Sequence, residues 1–167
     1  SQEMQAGGII EAISYYVASP TVNYYQDNQR IYVTHTPDTV IGTLYPSRSG
    51  WTMVYDGPVS WNGPGWNTIT FDQPFLYNKT ENLSILFENH QGMSPGAGYP
   101  VFGVTQTSAG LSVSASSPLF FPGFAGSPGS VRPNIRLIGG PNACRSQRTE
   151  DTVLVHPQQV FLSAGND

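Results

Sequence analysis

The chain has few charged residues: Asp, Glu, Lys and Arg make up 11% of its 167 positions, where roughly a quarter is usual for globular proteins. Seven basic residues are scattered along the sequence and eleven acidic ones outnumber them, so the formal charge is −4. Binding to DNA or RNA depends on clustered Lys and Arg that neutralise phosphates. The sequence therefore predicts no nucleic-acid partner.

Cysteine and long apolar runs are also scarce. Cys144 is the single cysteine, which excludes a disulfide within the chain, although a chain of this length can bury a core without one. No apolar run approaches the roughly 18 residues of a membrane span, so we expect no membrane insertion. Ser1 is not an initiator methionine and no signal peptide follows it. We therefore expect a chain that was processed, excised or recorded incompletely.

Helical periodicity is missing as well, because no apolar stripe of ~11 residues has helical spacing. Turn-forming Gly (18) and Pro (14) are abundant. Aromatic residues reach 12%, which supplies enough apolar mass for a core. Many short strands separated by turns, without helices, indicate a β-sandwich or a β-barrel.

The strongest strand signal lies in residues 65–77. Polar and apolar side chains alternate there, and Ile69 and Phe71 share one face of the predicted strand. Pro74 cannot donate to a β-ladder, so the strand should end or bulge just before it. The apolar run at residues 82–89 predicts the next strand of an antiparallel sheet.

Further strands are predicted from the same signals at residues 9–18, 30–36, 51–55, 99–105, 110–115 and 131–138. In the first of these, alternation places Ile9 on the same face as Ile13 and Tyr15. The polar segment 21–28 is predicted as a loop, and residues 40–44 as a short strand or a turn.

Residues 65–89 read gWnTItFdqPFlYnkteNLsIlfen, and this stretch carries a family resemblance. Residues 8–17, 30–33 and 53–57 extend the pattern upstream, and residues 132–137 close it. Together they resemble a module that is repeated in large secreted and cell-surface proteins of Bacteroidetes-type bacteria. The resemblance implies an all-β fold, an antiparallel, jelly-roll-like β-sandwich, with a secreted or cell-surface location and a non-catalytic role.

The resemblance covers most of residues 8–138, so we assign residues 1–140 to this module. Residues 141–167 form a C-terminal extension with strand character, predicted as strands at 152–155 and 159–163. Modules of this type usually contain a strand upstream of the position at which Ser1 begins. The resemblance therefore implies a gap in the sheet that the extension could fill.

The extension supplies the candidate assembly strand, which comprises Thr152, Val153, Leu154, Val155, Val160, Phe161 and Leu162. An open sheet edge is a template for pairing, and adding a strand is a known mode of recognition. The extension can fill the gap in its own subunit or in a neighbour. In the second arrangement copies join head to tail into a filament, and the sequence leaves both arrangements open.

Patterns for catalysis and metal binding are weak. Residues 92–96 match the G-x-S-x-G pattern around Ser94, but Pro95 lacks the backbone N–H that an oxyanion hole needs. The histidines at positions 35, 90 and 156 have no metal-ligand spacing. We therefore expect no enzymatic activity, no metal and no cofactor. Acidic residues near strand ends leave a Ca²⁺ site as an alternative, although no D-x-D-x-D run occurs.

Aromatic residues support carbohydrate binding as the alternative function, with glycans as the partner. Trp51 and Trp66 lie in predicted strands and are assigned to the core. Trp61 lies next to Asn62 in a predicted turn, so we expect an exposed ring that stacks on a sugar together with Tyr99.

Two segments match the D-[ST]-apolar acceptor pattern for O-glycosylation in such bacteria, and they predict glycans on Thr39 and Thr152. The leading hypothesis is a non-catalytic structural or adhesion module. Its predicted partners are further copies of itself or other cell-surface proteins, and a hydrolase is the weakest alternative.

Overall fold

The structure, a computed structural model, describes residues 8–19, 23–44, 46–91, 99–107, 110–115 and 125–139, and the backbone of 153–154 and 162–165. These residues contain twelve β-strands and no helix. The strands are β1 (Gly8–Val17), β2 (Tyr24–Thr36), β3 (Thr52–Trp61), β4 (Gly65–Tyr77), β5 (Asn82–Asn89), β6 (Gly103–Gln106), β7 (Ser112–Ser114), β8 (Ser127–Gly129), β9 (Val131–Pro133), β10 (Ile135–Gly139), β11 (Val153–Leu154) and β12 (Leu162–Gly165).

The described strands form three sheets in which neighbouring strands are antiparallel. The first sheet has the order β10-β1-β4, the second β3-β2-β5-β12-β7-β8, and the third β11-β6-β9. This arrangement confirms the predicted all-β class and is consistent with a β-sandwich.

The main core brings together side chains of the first and second sheets. The five strands β1 to β5 supply nearly all of its buried residues, mostly at alternate positions, as the twofold period of a strand requires. Its buried members are Ile10, Ile13, Tyr15, Val17, Ile31, Val33, Val54, Val59, Trp61, Ile69, Phe71, Phe75, Leu83, Ile85 and Phe102.

The predicted irregularity before Pro74 is present. Thr70 pairs with Ala12 and Phe75 pairs with Ile10, so four residues of β4 lie opposite the single residue Glu11. Three of those four residues, 72–74, are exposed. The bulge therefore turns Pro74 away from the ladder while β4 continues beyond it.

The same bulge overturns the predicted facing of Ile9. Ile9 is 45% exposed, whereas Ile10, Ile13 and Tyr15 are buried in the main core. The shift in register between Ile10 and Ala12 changes which side of β1 faces inward. Strict alternation along β1 was therefore the wrong assumption.

The loop predicted at residues 21–28 is also wrong, because β2 already begins at Tyr24. The ladder between β2 and β3 shifts between Gln26 and Gln29. Asn28 has a φ of 53° there, a left-handed conformation that Asn adopts more readily than most residues. Both glutamines are buried, so a segment that reads as polar and loop-like is an interior strand.

The strand predicted at residues 131–138 is divided between two sheets. β9 pairs with β6 in the third sheet, and β10 pairs with β1 in the first. Asn134 lies between them, and its backbone N–H donates to the carbonyl of Gly103 at 2.8 Å. Residues 40–44 contain only an isolated bridge between Leu44 and Ala125.

Candidate functional site

The C-terminal strand β12 occupies an interior position in the second sheet. It pairs with β5 on one side and β7 on the other. The register places Leu162 opposite both Leu86 and Val113. We call the position between β5 and β7, which β12 occupies, the slot.

The structure describes part of the predicted assembly strand. Val153 and Leu154 form β11 and pair with Val104 and Gly103 of β6. Leu162 begins β12, which ends two residues beyond the predicted strand. The other predicted residues lie outside the described ones: Thr152, Val155, Val160 and Phe161.

The connection from β2 to β3 crosses the slot. We call residues 37–44 and 46–51 the strap. At its far end, Ile41 N–H donates to the Gly110 carbonyl and Gly126 N–H donates to the Thr43 carbonyl, both at 2.6 Å. Gly110 precedes β7 and Gly126 precedes β8, so this end of the strap is fixed on the side of the slot away from β5.

The far end depends on a close approach at Gly126. A Cβ atom there would overlap the Cγ1 atom of Val113 and lie 3.0 Å from the Ser114 carbonyl oxygen. Only glycine therefore lets residue 126, which donates to the strap, lie this close to β7.

The near end of the strap returns to β2 and β5 through side chains. The Arg48 guanidinium donates to the Tyr32 hydroxyl at 3.3 Å, and its Nε lies 3.8 Å from Glu88 Oε1. The Thr34 hydroxyl donates to the Gly50 carbonyl at 3.2 Å. These contacts are longer than the backbone hydrogen bonds at the far end, and Arg48 is about one third exposed (33%).

A second apolar cluster lies beneath the strap. Its buried residues are Tyr32 from β2, Leu86 from β5 and Val113 from β7, and the strap residues Ile41 and Trp51 pack against them. Because the side chain next to Leu86, that of Ile85, is in the main core, this cluster lies on the opposite face of the second sheet. It contains residues from both sides of the slot.

Trp51 was predicted to be a core residue, and its ring is half-buried in this second cluster and not in the main core. The reason is that Trp51 precedes the first residue of β3 and belongs to the strap. It therefore covers the outer face of the sheet.

Glu88 is the charged group that the sequence did not single out. Its side chain is 0% exposed, Oε2 is hydrogen-bonded to His90 Nε2, and Oε1 accepts no hydrogen bond from any described residue. Burial raises the pKa of the Glu88 carboxyl, and the His90 hydrogen bond opposes that shift. A sequence signal existed, since Glu88 lies two positions after Leu86 and shares its buried face.

The predicted exposure of Trp61 is wrong. The residue is 1% exposed at the end of β3, and its indole N–H donates to Gln26 Oε1 at 2.7 Å. The partner comes from the segment that was predicted as a loop, which is why the buried site could not be anticipated. An indole in this position cannot stack on a sugar.

Tyr99, the second predicted sugar-binding residue, is half-buried beside the main core. Its ring is 5.2 Å from that of Tyr24 in an edge-to-face arrangement. Burial raises the pKa of the Tyr99 hydroxyl to about 12. The structure therefore does not bring Tyr99 and Trp61 together as an exposed platform.

Trp66 was also predicted to be a core residue, but it is half-buried on the outer face of the first sheet. The Arg136 guanidinium lies 3.8 Å from its ring centroid, and Tyr16 makes an edge-to-face contact at 5.3 Å. This cation–π contact holds β10 to β4 across β1.

The structure describes only some of the remaining candidate residues. Thr39 is exposed on the strap, whereas Thr152, His156 and Ser94 lie outside the described residues. His35 Nε2 accepts a hydrogen bond from Asn78 N–H at 3.0 Å. Within the described ranges, no three His, Cys, Asp or Glu side chains are grouped as metal ligands.

Comparison with known protein families, curated proteins and solved structures finds no match to this chain. Among the described residues there is no helix of the length and apolarity that spanning a membrane requires.

Proposed function

We propose that this protein is a non-catalytic structural or adhesion module, secreted or at the cell surface, that joins copies of itself by donating its C-terminal strand. One observation carries the proposal: β12, which comes from the extension, occupies an interior position between β5 and β7. A strand at this position completes the sheet from the far end of the sequence.

The same strand from a second copy would make the same backbone hydrogen bonds. Departure of β12 exposes two sheet edges, and unpaired edges favour the pairing of another strand. A strand passed from each copy to the next is a heterologous contact, and such contacts build a filament when they do not close into a ring.

The surroundings of His35 support a non-catalytic role. Its Nε2 atom accepts a hydrogen bond from Asn78 N–H, and its ring stacks at 5.9 Å on Tyr77. The alternative of carbohydrate binding loses its main residue, because Trp61 is buried. Thr39 is exposed, so its side chain is accessible for the O-glycosylation that we propose there. The intact mass of native material tests this modification.

The assembly test compares Ser163→Pro with Ser163→Thr in the full chain. Ser163 pairs with Ile85 and Ser112, and proline removes a backbone donor from an interior strand, whereas threonine keeps it. We expect wild type and Ser163→Thr to form filaments or large oligomers in light scattering and negative-stain images, and Ser163→Pro to stay monomeric. A wild-type chain that is monomeric at all concentrations contradicts the proposal.

A further inference from the structure

The two ends of the strap are held differently. The far end is fixed by two backbone hydrogen bonds of 2.6 Å, donated by Ile41 and Gly126, and by the bridge between Leu44 and Ala125. The near end is held by the part-exposed Arg48 at 3.3 and 3.8 Å from its partners, and by the Thr34 hydroxyl at 3.2 Å from the Gly50 carbonyl. The slot lies between these ends.

We propose that the strap is a clasp for the slot: its far end keeps β7 and β8 aligned with β5 when β12 leaves, and its Arg48 end opens to let a strand in or out. This inference rests on the proposed function for its purpose. The occupant is the C-terminal strand of a second copy of this chain, since the slot already accepts that sequence from its own copy.

Alignment without β12 follows from the attachments that bypass it. Leu86 and Val113 flank the slot, and both pack in the second cluster with the strap residues Ile41 and Trp51. The strap therefore joins the two sides of the slot through covalent chain, backbone hydrogen bonds and apolar contacts. All of the contacts named here are between described residues outside β12.

Opening at the Arg48 end follows from the chemistry of its contacts. Glu88 Oε1 lies 3.8 Å from Arg48 Nε and accepts no hydrogen bond from the described residues. Glu88 keeps His90 as a partner when Arg48 moves away. Detachment of Arg48 exposes its guanidinium to water and does not strip the buried carboxyl of its hydrogen bond, so it is the weaker of the two fastenings.

The test measures binding of a fluorescent peptide with the sequence of residues 159–167 to the full chain carrying Ser163→Pro. We expect the variant to stay folded by circular dichroism and to bind the peptide, as followed by fluorescence anisotropy. A matched peptide with proline in place of Ser163 should not bind. Unfolding of the Ser163→Pro chain, or a folded chain that ignores the peptide, overturns the preformed slot.

Opening of the Arg48 end is tested by measuring the rates at which the peptide binds and dissociates. Tyr32→Phe removes the hydroxyl that accepts from Arg48 and keeps the ring, whereas Arg48→Ala removes the contacts of Arg48 with both Tyr32 and Glu88. In each variant we expect the peptide to enter and leave faster, by roughly fivefold or more for Arg48→Ala. The same rates are also measured in chains that keep Ser163, where excess peptide has to replace the chain's own β12 in the slot. Unchanged rates overturn the clasp.

The two proposals fail separately. Peptide entry that depends on Arg48, in a chain whose copies never assemble, supports the clasp and contradicts strand donation between copies. Filaments that form at the same rate with and without the Arg48 contacts support donation and contradict the clasp.

Discussion

At the residue scale, the buried polar groups of this protein have partners that are either distant in sequence or close by. Trp61 has a polar partner because Gln26 lies on the neighbouring strand, with its amide oxygen 2.7 Å from the indole nitrogen. Glu88 is tolerated without exposure because His90 is hydrogen-bonded to its carboxyl group. A buried charge without such partners would be costly.

Glu88 should make the stability of the protein depend on pH. Its pKa is raised in the folded chain from the ordinary value of 4.5, so the folded state holds this proton to higher pH than the unfolded state. The contribution to stability is present below pH 4.5 and is lost as pH rises through the folded pKa. We expect Glu88→Gln to flatten this loss in urea unfolding measured at increasing pH.

The groups facing Glu88 are His90, Arg48 and Arg30, and none of them is altered by the substitution. Glu11→Gln is the matched control, because Glu11 is an exposed carboxyl on β1. An unchanged slope in Glu88→Gln, with the same slope in Glu11→Gln, would assign the pH dependence to other groups.

At the element scale, the strap adds contacts to the second sheet beyond the pairing of its strands. It leaves β2, is fastened beyond the slot, and returns to β3. Long connections cover one face of a sheet when they bring apolar residues with them. Ile41 and Trp51 have this role here.

Two glycines, Gly42 in the strap and Gly126 beside it, provide a matched pair of variants. Gly126→Ala places a Cβ against Val113, whereas Gly42→Ala, within the strap, meets nothing within 4 Å. We expect Gly126→Ala to lower the free energy of unfolding by about 1–3 kcal/mol through overpacking and Gly42→Ala to leave it nearly unchanged. Denaturant unfolding of both variants checks this. Equal free energies of unfolding would show that the far end can move to accommodate the added Cβ atom.

At the scale of the whole molecule, the second sheet has two parts that contribute to apolar clusters of different size. Strands β2, β3 and β5 contribute to the main core, whereas β7 contributes Val113 to the smaller cluster under the strap. Parts of a fold that bury less apolar surface open more readily than the rest. The position of β12 between these parts makes it the junction of the sheet.

Hydrogen exchange should therefore resolve two classes of amide. We expect the amides of Ser112 and Val113 in β7 to exchange in a partial opening that involves β12. Those of Ile13 and Ile69, which pair in the first sheet, should exchange only on global unfolding. Mass spectrometry or NMR at low denaturant gives both rates. A single common opening energy would mean that the first and second sheets open as one unit.

The local sequence by itself determined the all-β class, most of the strand positions and the bulge before Pro74, because alternation, turn residues and a missing N–H act within a few residues. The family resemblance, the location and the function stay predictions. Only the tertiary structure decided that Trp61 is buried, that Ile9 faces outward and that Glu88 lies under the strap. Each of these depends on register between distant strands, and a shift in register changes which face is buried. The position of β12 in the slot has the same origin, since pairing with β5 and β7 joins segments that no local pattern connects.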